Sequence, residues 1–80
     1  MSANNQILIV KHKDKYLVFD NIQAESWDEE NVLKESEATS FHTDIEDAYT
    51  SARILDEDDP TEYGVVVDKL WKDGAKVKII

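Results

Sequence analysis

Apolar residues gather in a few short groups along the chain, and their spacing changes between the ends and the middle. Residues 7–12 open with Ile7-Leu8-Ile9-Val10, and residues 15–22 follow with Tyr16-Leu17-Val18-Phe19 and then Ile22. Branched and aromatic residues in runs this short, broken only by Lys13-Asp14, predict two strands joined as a hairpin. Residues 63–71 and 75–80 predict a second hairpin around Lys72-Asp73-Gly74. A two-residue turn there would set Lys69 opposite Lys78, a like-charge pair. A three-residue loop with Gly74 in the left-handed conformation sets Asp68 against Lys78 and Val67 against Ile79 instead, and is preferred. One face of this hairpin then carries Val65, Val67, Trp71, Val77 and Ile79, with Lys69 at an edge. The other mixes Val66, Leu70 and Ile80 with Asp68, Lys76 and Lys78.

The period changes between the hairpins. Ile45, Ala48, Tyr49, Ala52 and Leu55 recur at intervals of three and four, which places them on one stripe of a helix over 44–57. Thr43 and Glu46 match a capping box, the acids of the first turn suit the helix dipole, and Pro60 prevents continuation. Residues 23–42 are less regular. Ser26-Trp27-Asp28-Glu29 also fits a capping box and allows a short helix over 27–33, while 35–40 has no apolar period. A structureless connection of that length is unusual in a compact domain, so a short helical turn or an extra edge strand is expected. The pattern as a whole predicts a single α+β domain over 1–80 with a flexible stretch at 1–5. Its order is ββαββ, with an antiparallel sheet of about four strands, the helix packed on one face and the other face open.

Composition narrows the function classes. The chain has 80 residues and 9.2 kDa, so it has room for one core only. It contains no cysteine, which removes disulfides and thiolate metal sites and suits a reducing compartment. The longest apolar runs are four residues, against the roughly 20 needed to span a bilayer, and residues 1–5 lack the features of a secretory signal. Cytoplasmic residence and no membrane partner are expected.

Eighteen acids against nine bases give a formal charge of −9, which argues against direct binding of nucleic acid. The charge is uneven. Residues 20–62 hold fifteen acids against Lys34 and Arg53, while each flanking segment carries a net +2. The lysines therefore belong mainly to the predicted hairpins and the carboxylates to the middle.

The densest acidic run is Asp56-Glu57-Asp58-Asp59, followed by Glu62. Acids at a helix C-terminus oppose the dipole and repel one another, so they invite a functional explanation. The ordinary reading is that the helix ends near Leu55 and the acids are a solvated loop. An EF-hand is rejected, because counting from Asp56 puts Thr61 where glycine belongs and Val67 where the final glutamate belongs. A loose cation site around 56–62 is a further reading, but no metal or other cofactor is expected.

His12 and His42 have only Asp14 and Asp44 near them in sequence, too little for zinc, and are read as structural. No nucleophile turn or glycine-rich phosphate loop is present, so no catalytic residue is assigned and the chain is read as no enzyme. Trp71 reads as core. Trp27 heads the acidic run Asp28-Glu29-Glu30 and is the better interface anchor of the two tryptophans. The candidate interaction face is therefore Trp27, Asp28, Glu29, Glu30, Asp56, Glu57, Asp58, Asp59 and Glu62.

The last apolar strand, the Gly74 turn and the ending Lys76-Val77-Lys78-Ile79-Ile80 resemble the final hairpin of the uracil-DNA glycosylase inhibitor family. The resemblance covers under a quarter of the chain. That family begins with helices, whereas this chain begins with a strand, so membership is not implied. The expected function is that of a small acidic module that binds a protein with a basic surface, in its sharper form an inhibitor that mimics nucleic-acid charge. The competing expectation is a structural or housekeeping module, a homo-oligomer through its sheet edges or second sheet face, whose acidity serves solubility alone.

Overall fold

An apolar run with no polar alternation belongs to a strand that is covered on both sides. The computed structural model, which describes residues 5–23, 30–68 and 77–80, places Ile7-Leu8-Ile9-Val10 in such a strand. Strand β1 (Asn5–His12) pairs antiparallel with β2 (Lys15–Gln23) as the predicted hairpin. Its two-residue loop is Lys13-Asp14, and Lys13 takes φ 58. Further along β2, Asp20 and Asn21 stand together opposite Ile7 as a β-bulge, with Asn21 at φ 52. The extra residue restores the parity of the strand, so that Ile22 packs on the same side as Phe19.

Residues 30–42 supply the short elements expected there, in two kinds. Strand β3 (Asn31–Leu33) stands where a helix over 27–33 was a candidate. A single 3-10 turn (Glu35–Glu37) follows, and then β4 (Ser40–His42) adds to the free edge of β2. Helix α1 (Ile45–Asp58) comes next. Its N-cap is Asp44, whose Oδ1 accepts from the Glu46 amide at 2.8 Å, one residue later than the Thr43 box predicts. A carboxylate at that position both accepts the amide bond and suits the dipole, so it displaces the threonine. The stripe facing the sheet is narrower than its period suggests. Ala48 and Ala52 are fully buried and Leu55 packs beside them, whereas Ile45 and Tyr49 stay exposed. Two alanines at the centre bring the helix backbone close to the strands, which leaves the larger side chains at the margins.

The last two strands depart from the predicted second hairpin. β5 (Val65–Val67) pairs parallel with β1, in register Ile7 to Val65 and Ile9 to Val67, giving a four-stranded sheet in the order β4-β2-β1-β5. β6 (Val77–Ile79) pairs parallel with β3 in a separate two-stranded ribbon. Val67 and Ile79 therefore have different partners. Asp68, expected opposite Lys78, takes φ 65 beside β1, where its carboxylate accepts from the Lys11 amide at 3.3 Å. The Lys72-Asp73-Gly74 turn, Leu70, Trp71 and Lys69 lie outside the described residues.

The reason for the split lies on the far side of the sheet. Ile7, Ile9 and Val18 meet the helix with Tyr16 and Val65. Leu8, Val10, Leu17 and Phe19 project from the opposite face, and they are covered by Leu33, Ala38, Val77 and Ile79. Burying each of those four large side chains is worth about 1.5–3 kcal/mol, more than a two-stranded hairpin gains by keeping β6 beside β5. The face expected to be open is thus a second core. The α+β frame, one helix on a largely antiparallel four-stranded sheet, is as predicted. The ribbon adds a third layer. Among the described residues no helix is long and apolar enough to cross a membrane.

Candidate functional site

The acidic middle is organised by the two ends of α1. At its start Asp44, Glu46 and Asp47 are exposed, and Asp44 serves as the cap. At its end the helix runs on through Glu57 and Asp58, so these acids occupy the last turn and do not form a loop beyond Leu55. The Asp59 amide closes the helix by donating to the Leu55 carbonyl at 3.0 Å.

The five acids of 56–62 do different things. Asp56 is half-buried, and its Oδ1 accepts from the Thr61 amide at 2.9 Å and the Thr61 hydroxyl at 2.8 Å. It folds the chain back over Pro60, which has no amide hydrogen to offer. Its Oδ2 lies 3.8 Å from where a Cβ on Gly64 would be, ordinary contact, so it is the φ of 67 that favours glycine at 64. Glu57, Asp58 and Asp59 are exposed. Glu62 is exposed too, and its amide donates to Asn5 Oδ1 at 3.0 Å, which ties the loop to the start of β1. Its side chain borders a cleft of about 500 Å³ along β5, with Tyr63 and Val65. None of the acids of 44–62 pairs with a lysine or arginine among the described residues.

The other half of the expected face is elsewhere. Glu30 is exposed at the entry to β3, in the layer on the opposite side of the sheet from α1, so the structure does not unite it with the 56–62 acids. Trp27, Asp28 and Glu29 lie outside the described residues. His12 Nε2 lies 3.9 Å from Glu35 Oε2, and His42 Nε2 lies 2.9 Å from the Ser40 hydroxyl. Each has a local partner, and no group of three or more potential metal ligands comes together among the described residues.

A cleft that sequence reasoning did not find lies at the β4 edge. Thr39 and Ser40 face Ser51, Ile54 and Leu55 across a groove of about 250 Å³, so α1 runs back beside the strand that precedes it. Ile54 is 61% exposed. The signal was present, because Ile54 is apolar yet falls off the Ala48–Ala52–Leu55 stripe, and an off-stripe isoleucine on a charged helix has no core to enter. Asp47, Ser51, Ile54 and Asp58 follow at steps of four, three and four, one continuous row on the helix surface. The row has an acid at each end, about 16.5 Å apart at the helical rise.

Comparison with protein-family models, with curated proteins and with solved structures finds no match for this chain.

Proposed function

We propose that this chain is a small non-enzymatic protein-binding module that holds a basic partner surface through the acids of residues 44–62, its charge standing in for that of nucleic acid. One observation carries the reading. That stretch holds eight carboxylates and a single base, Arg53; seven of the acids are exposed and none forms an ion pair within the described structure. Exposed carboxylates with no lysine or arginine paired to them among the described residues leave their field in the solvent, where it attracts and orients a cationic surface. The acids lie in two groups, one at each end of α1. Asp47 and Asp56 are separated by about 13.5 Å of helix. This exceeds the ~8 Å screening length at physiological salt, so each group meets its own basic site on the partner. Cytoplasmic residence accords with the lack of cysteine and with partners that work on nucleic acid.

The test is affinity capture from the native lysate at ~50 and ~200 mM salt. It uses the unaltered chain and a variant with Glu57→Gln, Asp58→Asn and Asp59→Asn, and it leaves Asp56 in place because that side chain holds the loop. A partner retained at low salt, released at high salt and lost with the variant supports the reading. The same proteins captured under all four conditions would reduce the charge to a solubility device.

A further inference from the structure

The groove between α1 and β4 joins three features that acidity alone does not explain. β4 is the outer strand of the sheet on that side, so one row of its backbone donors and acceptors has no strand beside it among the described residues. An exposed isoleucine opens the groove next to that edge. The row Asp47–Ser51–Ile54–Asp58 places one carboxylate before the apolar spot and one after it. At about 250 Å³ the groove falls below the usual ~300–1,000 Å³ of small-molecule sites, and is of a size for a side chain.

We propose that the α1–β4 groove receives an extended peptide segment of a partner protein, which adds as a strand to β4 and presents an apolar residue between two basic ones. The proposal rests on the acidic-recognition reading and names the part of the partner that is bound. Side chains on one face of an added strand recur every second residue, or about 6.8 Å. A basic–x–apolar–x–basic pattern therefore spans about 13.6 Å between its outer residues, against about 16.5 Å between Asp47 and Asp58, and flexible lysine or arginine stems close the difference. The apolar residue falls against Ile54, Leu55 and Ser51, and the backbone bonds to β4 supply affinity without sequence preference. Specificity then resides in the two charges and the one apolar anchor. A partner with an acid at either outer position meets like charge and is rejected.

The experiment uses a fluorescein-labelled peptide with the central sequence Lys-Thr-Leu-Thr-Lys, titrated with the whole protein and followed by anisotropy and by amide chemical shifts. The expected result is saturable binding with shifts centred on Thr39, Ser40, Ser51 and Ile54. Ile54→Lys should weaken binding at least about tenfold, and the double variant Asp47→Lys, Asp58→Lys should do the same while reversing preference towards the Glu-Thr-Leu-Thr-Glu peptide. That reversal keeps the test informative if one variant folds poorly. Absence of saturable binding, shifts confined to 57–62, or loss of binding without reversal would each overturn the groove. So would sedimentation of the free protein as a dimer that Ile54→Lys converts to a monomer, because the occupant would then be a second copy. Failure of the peptide alongside salt-sensitive capture in the lysate overturns the groove and leaves acidic recognition standing. Salt-indifferent capture removes both.

Discussion

Replacing Asp56 with alanine removes a carboxylate from a run of four, yet its effect should differ in sign from that of its neighbours. Asp56 accepts two hydrogen bonds from Thr61, one from the backbone and one from the hydroxyl, in a half-buried setting. Bonds to a charged acceptor near the surface are worth about 1–1.5 kcal/mol each, and relief of the unfavourable charge at the helix C-terminus returns about 0.3–1 kcal/mol. The net loss is about 1–2.5 kcal/mol. Asp58 is exposed and makes no such bond, so Asp58→Ala should leave stability unchanged or slightly higher. Urea denaturation of both variants measures the difference. In thermal unfolding a loss of ~1.5 kcal/mol corresponds to a fall of about 6–12 °C for a domain of this size. A cycle with Thr61→Val isolates the hydroxyl's share, expected at about 0.5–1.5 kcal/mol of coupling. If Asp56→Ala proves no less stable than Asp58→Ala, the loop is not held as described. Asp56 would then rejoin the other acids as a candidate for partner contact.

Two further substitutions probe the sheet. Asn21 occupies the bulge at φ 52 and its Oδ1 accepts from the Asn5 side-chain amide at 2.8 Å, so Asn21→Gly should lose that exposed bond alone, about 0.5–1 kcal/mol, and Asn21→Val should cost about 1–2 kcal/mol more by chemical denaturation; equal stabilities would contradict the bulge. Phe19 is 1% exposed beneath the β3–β6 ribbon, so Phe19→Ala should cost about 3–5 kcal/mol and speed amide exchange at Glu35 and Ile80, while a loss below about 1 kcal/mol would mean that this face is not a core.

What could be read from the sequence follows from the range of the interactions involved. The first hairpin and α1 are local, and the apolar runs beside Lys13-Asp14 and the three-and-four spacing from Ala48 to Leu55 reveal them directly. The cap at Asp44 was missed by one residue because Thr43 and Asp44 are both competent acceptors, and only the backbone decides between them. The partners of the last two strands are a long-range choice. Val65-Val66-Val67 and Val77-Lys78-Ile79 fit an antiparallel hairpin as well as they fit separate parallel pairings. What distinguishes these is the need to cover Leu8, Val10, Leu17 and Phe19, a need hidden as long as β1 is read as covered on one side. Among the candidate site residues, the run 56–59 was visible as charge, but nothing in its sequence marks Asp56 as the one engaged by Thr61. Ile54 falls outside the buried stripe of α1, and only the position of β4 beside the helix gives its exposed side chain a groove to line.

The parallel pairing of β1 with β5 bears on how the chain comes to be folded. The first hairpin closes between near neighbours, β4 returns from Ser40–His42 to pair with Val18–Tyr16, Ala48 and Ala52 return to Ile7 and Ile9, and later in chain order the amide of Ile7 waits for the carbonyl of Gly64 and that of Asp68 for the carbonyl of Ile9. The ribbon closes later still in chain order, since the amide of Ile80 donates to Leu33 and the carbonyl of Ile80 accepts from Glu35. Loop-closure entropy has to be met before these contacts are gained, so they set the folding rate, which falls below that of a helical domain of equal length. Until Val77 and Ile79 dock, Leu8, Val10, Leu17 and Phe19 lack two of the side chains that pack on them, and in that state the chain is most open to aggregation.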